Sequence, residues 1–431
     1  MPRCLRYSLF VLGLGCNPAG AEPQGAEAGS ASTGTASTGG TGASTTASVG
    51  STGGSGSDTA DASSVGPLDE TGPAPDLPAS CRSFAPPTAT PPALEPGRWT
   101  DLSPPGLHRP YGETPPFGCM DIHVLPCAPS TLYLTTDSEG MWRSTDGGAS
   151  WSTIGELPEP VSPGVMEIDP ADAQHMVYVG GVRGSSLGFW ISHDGGDTWS
   201  MPAGFAEHAD NSVGGWTNDV YHVAADPTEF DHLLLTFHSG FEFTGDAGVL
   251  ESHDGGQSWT RHDAMPGWGA GHSIWFVGDA STWLLGTQGA GYWRTADGGQ
   301  SWTQVIDLDM QHGGVAAYYA SNGVLYVGAL GQILRSEDDG VSFDLVGPAT
   351  SDGYYAVIGD GTTLYAQLAN TGGNTTGPQP FVVSPEHDGF EWTVYNDQTF
   401  SDGPYRMAFD AVNRIVYAAS WNEGVWALAV P

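Results

Sequence analysis

The sequence contains no lysine; all twelve of its basic residues are arginine. That absence removes a Walker-type phosphate loop, Schiff-base chemistry and a lysine general base together. Positive charge is scarce altogether. The formal net charge of -37 argues against phosphate backbones and anionic lipid surfaces as partners, so no nucleic acid is expected. Cysteine is also sparse, at five residues. No Cys-x-x-Cys, His-Glu-x-x-His or EF-hand pattern gathers metal ligands. His222, His272 and His312 recur near the first strands of successive repeats, but their spacings follow the repeat and not a ligand motif. The sequence therefore predicts no metal and no cofactor. Nor is any apolar run long enough to span a bilayer.

The chain begins with a leader. Residues 1–16, MPRCLRYSLFVLGLGC, set Arg3 and Arg6 ahead of a short apolar run from Tyr7 to Leu14, the form of an export signal. The ending Leu14-Gly15-Cys16 resembles the bacterial lipoprotein cleavage box, which implies lipidation of Cys16, although Gly13 stands where that box prefers leucine. A competing cleavage after Ala21 would give a secreted protein. Either way the protein is exported, as an outer-membrane or cell-surface lipoprotein or in soluble form, and it meets a membrane only through the lipid anchor. Residues 17–80 are almost all Gly, Ser, Thr, Ala and Pro, too polar to repay the entropy of ordering. They read as a disordered tether reaching roughly 40–50 Å as a coil. Of the remaining cysteines, Cys119 and Cys127 flank MDIHVL, which reads as a strand. At about 3.3 Å per residue it holds them far beyond the roughly 5.5 Å of a disulfide. Cys81 is therefore expected to pair with Cys119 or Cys127.

Repeats dominate residues 81–431. RSTDGGASW (143–151), ISHDGGDTW (191–199), ESHDGGQSW (251–259) and RTADGGQSW (294–302) are near copies. RSEDDGVSF has Phe343 in the tryptophan place. SPEHDGFEW keeps Gly389 and Trp392 but has His387 for the aspartate, which predicts a looser turn. In the shared form, Ser/Thr-x-Asp-x-Gly-x-x-Trp, the aspartate and the earlier hydroxyl can bond turn amides. The glycine admits positive φ, and the aromatic folds back over a hairpin. Asp146, Asp194, Asp254, Asp297 and Asp338 are accordingly assigned structural roles.

An independent series of seven apolar runs, TLYLTT, MVYVGG, HLLLTF, TWLLGT, VLYVGA, TLYAQL and IVYAAS, begins at 131, 176, 232, 282, 324, 363 and 415. With the strand-like run before each and the strands flanking each box, the unit is four strands in about 50 residues, the size of a propeller blade. The seventh unit stops at EGVWALAVP with three strands, while GRWTDLSP (97–104) reads as a fourth strand without its three. Joining the two closes a ring and removes the open edges of a linear array. The predicted fold is all-β: a seven-bladed β-propeller of four-stranded blades over residues 81–431, closed by its N-terminal strand.

On these motifs the chain resembles the Asp-box (BNR) repeat propeller superfamily, which includes sialidases, sortilin-type receptors, photosystem assembly factors and xyloglucan-degrading endoglucanases. The sialidase arginine triad, tyrosine nucleophile and Phe-Arg-Ile-Pro element do not transfer. Phe-Arg-Ile-Pro is absent, and Arg143, Arg294 and Arg335 repeat at one place in their blades, just before the box. The segment LYLTTDSEGMWRSTDGG resembles the endoglucanase Leu-Tyr-x-x-Thr-Asp-x-Gly-Gly-x-Tyr-Arg stretch, which implies that Asp137 is a catalytic base. Glu139 replaces the first glycine, and the family's catalytic acid comes from a second propeller. A partner carboxyl would have to be Asp121, Asp219 or Glu423, at about 5–5.5 Å for retention or 6.5–9.5 Å for inversion.

The links between blades and the loops after second strands gather at one end of a propeller's channel, and here they are rich in aromatics and histidine. Trp216, Trp268, Tyr354, Tyr405 and Trp421 are candidates to stack on sugars or grip a peptide, with Asn218, His272, His312 and Arg406 as polar contacts. Tyr221, Trp275, Tyr319 and Tyr355 are assigned to the inner strands. The sequence thus predicts an exported, lipid-anchored propeller that binds a polysaccharide or a cell-surface protein without catalysis. The alternative is a glycoside hydrolase using Asp137.

Overall fold

Seven small antiparallel sheets follow one another along the chain. The computed structural model describes residues 89–107, 118–182, 184–206, 219–238, 248–263, 265, 267–268, 273–310, 314–350, 352–369 and 378–431. Of the two units into which the chain divides, residues 1–72 lie outside the described residues and residues 73–431 carry the fold. The leader, Cys16, the tether and Cys81 are likewise outside the described residues.

Strand β1 (Trp99–Asp101) precedes the first sheet. Blade 1 is β2 (Cys119–Val124), β3 (Leu132–Thr136), β4 (Met141–Ser144) and β5 (Ser152–Ile154). Blade 2 is β6 (Gly164–Ile168), β7 (Met176–Gly180) and β8 (Gly188–Ser192), followed by α1 (Ala203–Ala206). Blade 3 is β9 (Val220–Ala225), β10 (Leu233–Phe237), β11 (Val249–Ser252) and β12 (Thr260–His262). Blade 4 is β13 (Ser273–Val277), β14 (Asp279–Gly286), β15 (Tyr292–Thr295) and β16 (Thr303–Ile306). Blade 5 is β17 (Ala317–Tyr319), β18 (Leu325–Gly328), β19 (Ile333–Ser336) and β20 (Asp344–Val346). Blade 6 is β21 (Gly353–Gly359), β22 (Thr363–Ala369), β23 (Gln379–Pro385) and β24 (Thr393–Phe400). Blade 7 is β25 (Pro404–Asp410), β26 (Ile415–Ser420) and β27 (Gly424–Ala429), completed by β1.

The inner strands form the ring, with β25 against β2, β2 against β6, β6 against β9, β9 against β13, β17 against β21 and β21 against β25. Second strands such as β7 and β26 are buried on both faces, because each sheet is covered by its two neighbours. That double burial is why they read as unbroken apolar runs. Blade 2 departs from the pattern. Its fourth strand is reduced to one bridge, Ile191 to Ser200. Pro202 has no N–H to extend the ladder, and the chain turns into α1 with the Phe205 and Ala206 amides donating to the Pro202 carbonyl.

The five aspartates of the boxes share one geometry. Asp146 accepts from the Ser150 amide at 2.8 Å and the Ser150 hydroxyl at 2.6 Å, while Ser144 Oγ takes the Gly148 amide at 2.8 Å. Asp194, Asp254, Asp297 and Asp338 repeat the contact to the amide four residues on. Their hydrogen bonds outweigh the cost of what burial they have and hold these carboxyls below the ordinary range. In the sixth turn, where the sequence predicts a looser arrangement, His387 is exposed and Glu386 turns inward instead. Glu386 accepts from the Gly361 amide at 2.7 Å and the Ser321 amide at 2.8 Å, tying blade 6 to blade 5. Gly389, at φ +70°, also has no room for a Cβ against Tyr326. The boxes are inter-blade joints as well. Arg294 Nε donates to the Asp339 carbonyl at 2.9 Å, Arg335 Nε to the Asp388 carbonyl at 2.8 Å, and Arg143 Nη1 to the Gly195 carbonyl at 3.4 Å. These three arginines each reach toward the next blade.

Closure is by β1 on β27, with Trp99 opposite Leu428, Thr100 opposite Ala427 and Asp101 opposite Trp426. Trp99 is 2% exposed and stacks on Phe381 of blade 6 at 4.2 Å. Gln398 of β24 clasps its backbone, accepting from the amide at 3.1 Å and donating to the carbonyl at 3.0 Å. Trp99→Ala should therefore destabilise the propeller by about 3–5 kcal/mol, the usual cost of deleting a large buried aromatic. Urea denaturation followed by tryptophan fluorescence measures this. A loss below about 1 kcal/mol would show that the strand does not bear on closure.

Candidate functional site

Side chains reach the channel by an irregularity repeated in four inner strands. In β2 the register steps from Cys119–Thr136 to Asp121–Thr135, in β9 from Val220–Phe237 to His222–Thr236, and in β25 from Pro404–Ser420 to Arg406–Ala419. In β21 the shift falls between Tyr354 and Val357. Each is a β-bulge, which inserts one residue and re-aims its neighbours. Met120, Tyr355 and Tyr405 then share an apolar cluster with Trp421. The rings of Tyr355 and Tyr405 lie 4.9 Å apart, and Trp421 stacks on Tyr405 at 5.4 Å. A Cβ at Gly314 would lie 3.5 Å from the Tyr405 hydroxyl and 3.9 Å from the Tyr221 ring, so both side chains approach Gly314.

The next residue along three of these strands is polar: Asp121, His222 and Arg406. With His123 and Glu167 they line a cavity of about 270 Å³, shared with Met166, Trp275 and Phe409. Inner strands are buried where they begin and partly exposed where they end, as at His123, Glu167 and Met407, so the cavity faces the end at which the inner strands finish, opposite the inter-blade links and second-strand loops where the sequence predicts the binding face.

The electrostatics of this layer are specific. Asp121 Oδ2 lies 3.0 Å from His123 Nε2 and accepts from the Met166 amide at 2.9 Å. Burial pushes the Asp121 carboxyl up, but His123, Arg406 and that amide outweigh it and hold it below its ordinary value. Burial works against the charge on His123, yet Asp121, helped by Glu167, raises it to about 9. Its side chain keeps 26% exposure, so solvent screens part of the effect. Burial raises Glu167 to about 7, and burial with the Arg406 charge lowers His222 to about 3. Arg406 is 7% exposed; its Nη1 donates to the Tyr405 carbonyl at 2.9 Å, and its Nη2 has no hydrogen-bond partner among the described residues. His222 Nδ1 is in the same state. At neutral pH the layer therefore offers a buried N–H donor beside an imidazole acceptor.

Several residues expected at the site sit elsewhere. Tyr354 is 1% exposed and donates to the Pro348 carbonyl at 2.9 Å; it packs between blades 5 and 6, while Tyr355, after the shift in register, belongs to the channel. Trp268 is 1% exposed, edge-on to Trp293 and Trp302 in the core of blades 3 and 4. Neither presents a face to a ligand. Asp137 has no exposed surface; its amide donates to the Gly118 carbonyl at 2.9 Å and its carboxylate accepts from Ser138 Oγ at 2.9 Å. Asp219 takes the Val182 amide and pairs with His238 Nδ1 at 2.9 Å. Glu423 accepts from the Ser401 amide at 2.6 Å and from its hydroxyl. Trp216, Asn218, His272 and His312 lie outside the described residues. Cys127 is disulfide-bonded, with its partner outside the described residues, and Cys119 is buried in β2. His123 and Glu167 escaped sequence reasoning. The signal for them was a charged residue within an otherwise apolar inner strand, MDIHVL and GVMEID.

The titration of His123 has a definite sign. Its folded value lies above the unfolded 6.5, so its contribution is whole below 6.5 and is lost as pH rises through about 9. Glu167, raised from 4.5 to about 7, acts in the same direction over that lower window. The melting temperature should fall as pH rises from 6.5 through 9, and His123→Gln should flatten that fall. A variant as pH-sensitive as the parent would refute the assignment.

The BNR/Asp-box repeat family matches residues 190–201. No curated protein matches the chain in sequence. Among solved structures it is similar to an ancestral GH74 enzyme, at TM-score 0.52 and 16% identity over 78% of this chain and 46% of that one. It is similar to YCF48 from Cyanidioschyzon merolae, at TM-score 0.50 and 13% identity over 77% of this chain and 98% of that one. It is also similar to the extracellular domain of a hybrid two-component system from B. thetaiotaomicron, at TM-score 0.50 and 12% identity over 73% of this chain and 40% of that one. The chain thus spans under half the length of the GH74 enzyme and of the two-component domain, and at these identities the likeness is one of fold. No described helix is long and apolar enough to cross a membrane. The chain is a seven-bladed β-propeller, one of whose hairpin turns matches the BNR/Asp-box repeat.

Proposed function

We propose that this propeller is an exported binding module that takes one unit of an acidic polysaccharide into its channel and does not cleave it. The observation that carries the reading is the Arg406 guanidinium, buried, lining the cavity and with Nη2 unpartnered among the described residues. A buried donor left unmade costs about 1–3 kcal/mol, more when charged, and a ligand carboxylate would remove that cost. His222 Nδ1 supplies an acceptor for a hydroxyl, and Trp275 a ring on the same wall. A cavity of about 270 Å³ lies below the ~300 Å³ at which drug-sized pockets begin. It suits one sugar of a chain better than a protein segment.

Asp137, on which the hydrolase alternative depends, is wholly buried; this favours binding without bond cleavage. The leader MPRCLRYSLFVLGLGC supports export, and the fold is shared with an extracellular domain. Placement as a lipid-anchored surface protein rests on Cys16 and the tether.

A glycan array probed with the full chain tests this. Uronic-acid polysaccharides should bind, neutral β-glucans should not, and Arg406→Gln should weaken binding about tenfold or more, the scale of one charge-assisted hydrogen bond. Affinity should drop as pH rises through about 7, where Glu167 becomes a second carboxylate in the cavity. Reducing sugar released by the parent and lost in Asp137→Ala would overturn the reading in favour of hydrolysis, as would capture of a protein ligand indifferent to Arg406.

A further inference from the structure

On the outer half of blade 3, away from the channel, three histidines converge on one carboxylate. Strand register puts them there. Leu233 pairs with Ser252, so His232 lies beside His253, and Glu251 pairs with Thr260, so His262 lies on its diagonal. Residues two apart on a strand, and their cross-strand and diagonal neighbours, share a face. The distances agree. His232 Nε2 and His253 Nε2 are each 3.1 Å from Glu251 Oε1, and His262 Nε2 is 2.9 Å from Glu251 Oε2. Ligand atoms of His232, Glu251 and His253 all lie within 4.8 Å of one another.

We propose that His232, Glu251 and His253 form a site for a divalent transition metal, best zinc, with His262 holding the second oxygen of Glu251. Tetrahedral zinc with bonds of about 2.0–2.1 Å separates its ligand atoms by about 3.4 Å, so three groups already within 4.8 Å of one another need only small shifts to hold it. A second carboxylate orients the innermost ring. Asp226 Oδ2 is 3.4 Å from His232 Nδ1, so with a metal on Nε2 the ring proton would face Asp226. Phe276 and Trp283 of blade 4 stand edge-on to His232 and His262 at 4.8 and 5.3 Å, an apolar wall that keeps water from one side. His253, with 63% of its side chain exposed against 4% for His232, leaves a route in from solvent.

The other blades supply a control. At the place of Glu251, blades 1, 4 and 5 carry Arg143, Arg294 and Arg335, whose positive charge reaches the next blade's box. Blade 3 has an anion there instead, and the metal supplies the missing positive charge at the joint with blade 4. In blade 2 the stacked pair recurs as His175 and His193, 4.8 Å apart, but Ile191 occupies the carboxylate position. The imidazole pair without its carboxylate makes no site.

The chain, stripped with EDTA and dialysed, should bind one equivalent of zinc by titration calorimetry, and zinc but not calcium or magnesium should raise its melting temperature. Cobalt in its place should give the intense visible absorption of a tetrahedral ion. His253→Ala, at an exposed position that folding tolerates, should weaken zinc about tenfold or more; Glu251→Gln should do the same, and His193→Ala in blade 2 should leave it unchanged. Absence of micromolar zinc binding, or binding insensitive to His253 and Glu251, overturns the site.

Discussion

A few backbone hydrogen bonds between Trp99–Asp101 and the last strand turn a linear array of sheets into a circle, and the channel exists only because the circle is shut. The consequence reaches beyond stability. Asp121 and His123 belong to blade 1, Arg406 to blade 7, Glu167 to blade 2 and His222 to blade 3. The polar layer therefore straddles the seam where the two ends of the chain meet. β2 of blade 1 and β25 of blade 7 pack directly against each other at that seam. Arg406 and Asp121 depress or raise each other's neighbours through that contact.

How much of the structure is legible in the sequence depends on the range of the forces involved. The boxes are local: an aspartate, the hydroxyl two residues before it and the amide four residues after it lie within a single turn, and the pattern is complete in nine letters. The second strands are legible because burial on both faces leaves only apolar letters. The closing strand is legible by counting. The channel is less so, because side-chain direction in a strand has period two and one inserted residue reverses it. Tyr354 and Tyr355 are adjacent letters, and only the register shift in β21 decides that the second enters the channel and the first packs between blades. Trp268 misleads differently. It lies in a loop composition that reads as surface, but blade 4 folds over it. The histidines of blade 3 are hidden for a third reason. His232, Glu251 and His262 are far apart in sequence, and cross-strand register, not spacing, brings them together.

Arginine is distributed with economy in a chain that has no lysine. Arg143, Arg294 and Arg335 serve the joints between blades, and Arg414 ties the Pro431 and Asp360 carbonyls. Each of these meets backbone oxygen, which a planar fork of donors suits better than an ammonium would. Arg406 is used differently. One edge of its guanidinium meets the Tyr405 carbonyl and its Cζ lies over the Tyr405 ring at 4.6 Å, with Nη2 buried and without a hydrogen-bond partner among the described residues. The bulge that re-aims Tyr405 thus also re-aims the guanidinium.

The net charge of -37 opposes an acidic ligand only if charge is summed over the whole chain. At physiological salt the Debye length is about 8 Å, so carboxylates on the outer strands are screened from the channel, while charges inside it, separated by little water, are not. There the balance is reversed. Arg406 and protonated His123 face one ionised Asp121, with Glu167 held partly neutral by burial. The global charge acts on the approach of a polyanion, which added salt would ease, and the local charge acts on its affinity once seated, which salt reaches poorly. Only the first of the two effects depends strongly on salt. A surface that repels polyanions in general and a channel that accepts one acidic unit are therefore compatible, and together they give selectivity against anions too large to enter.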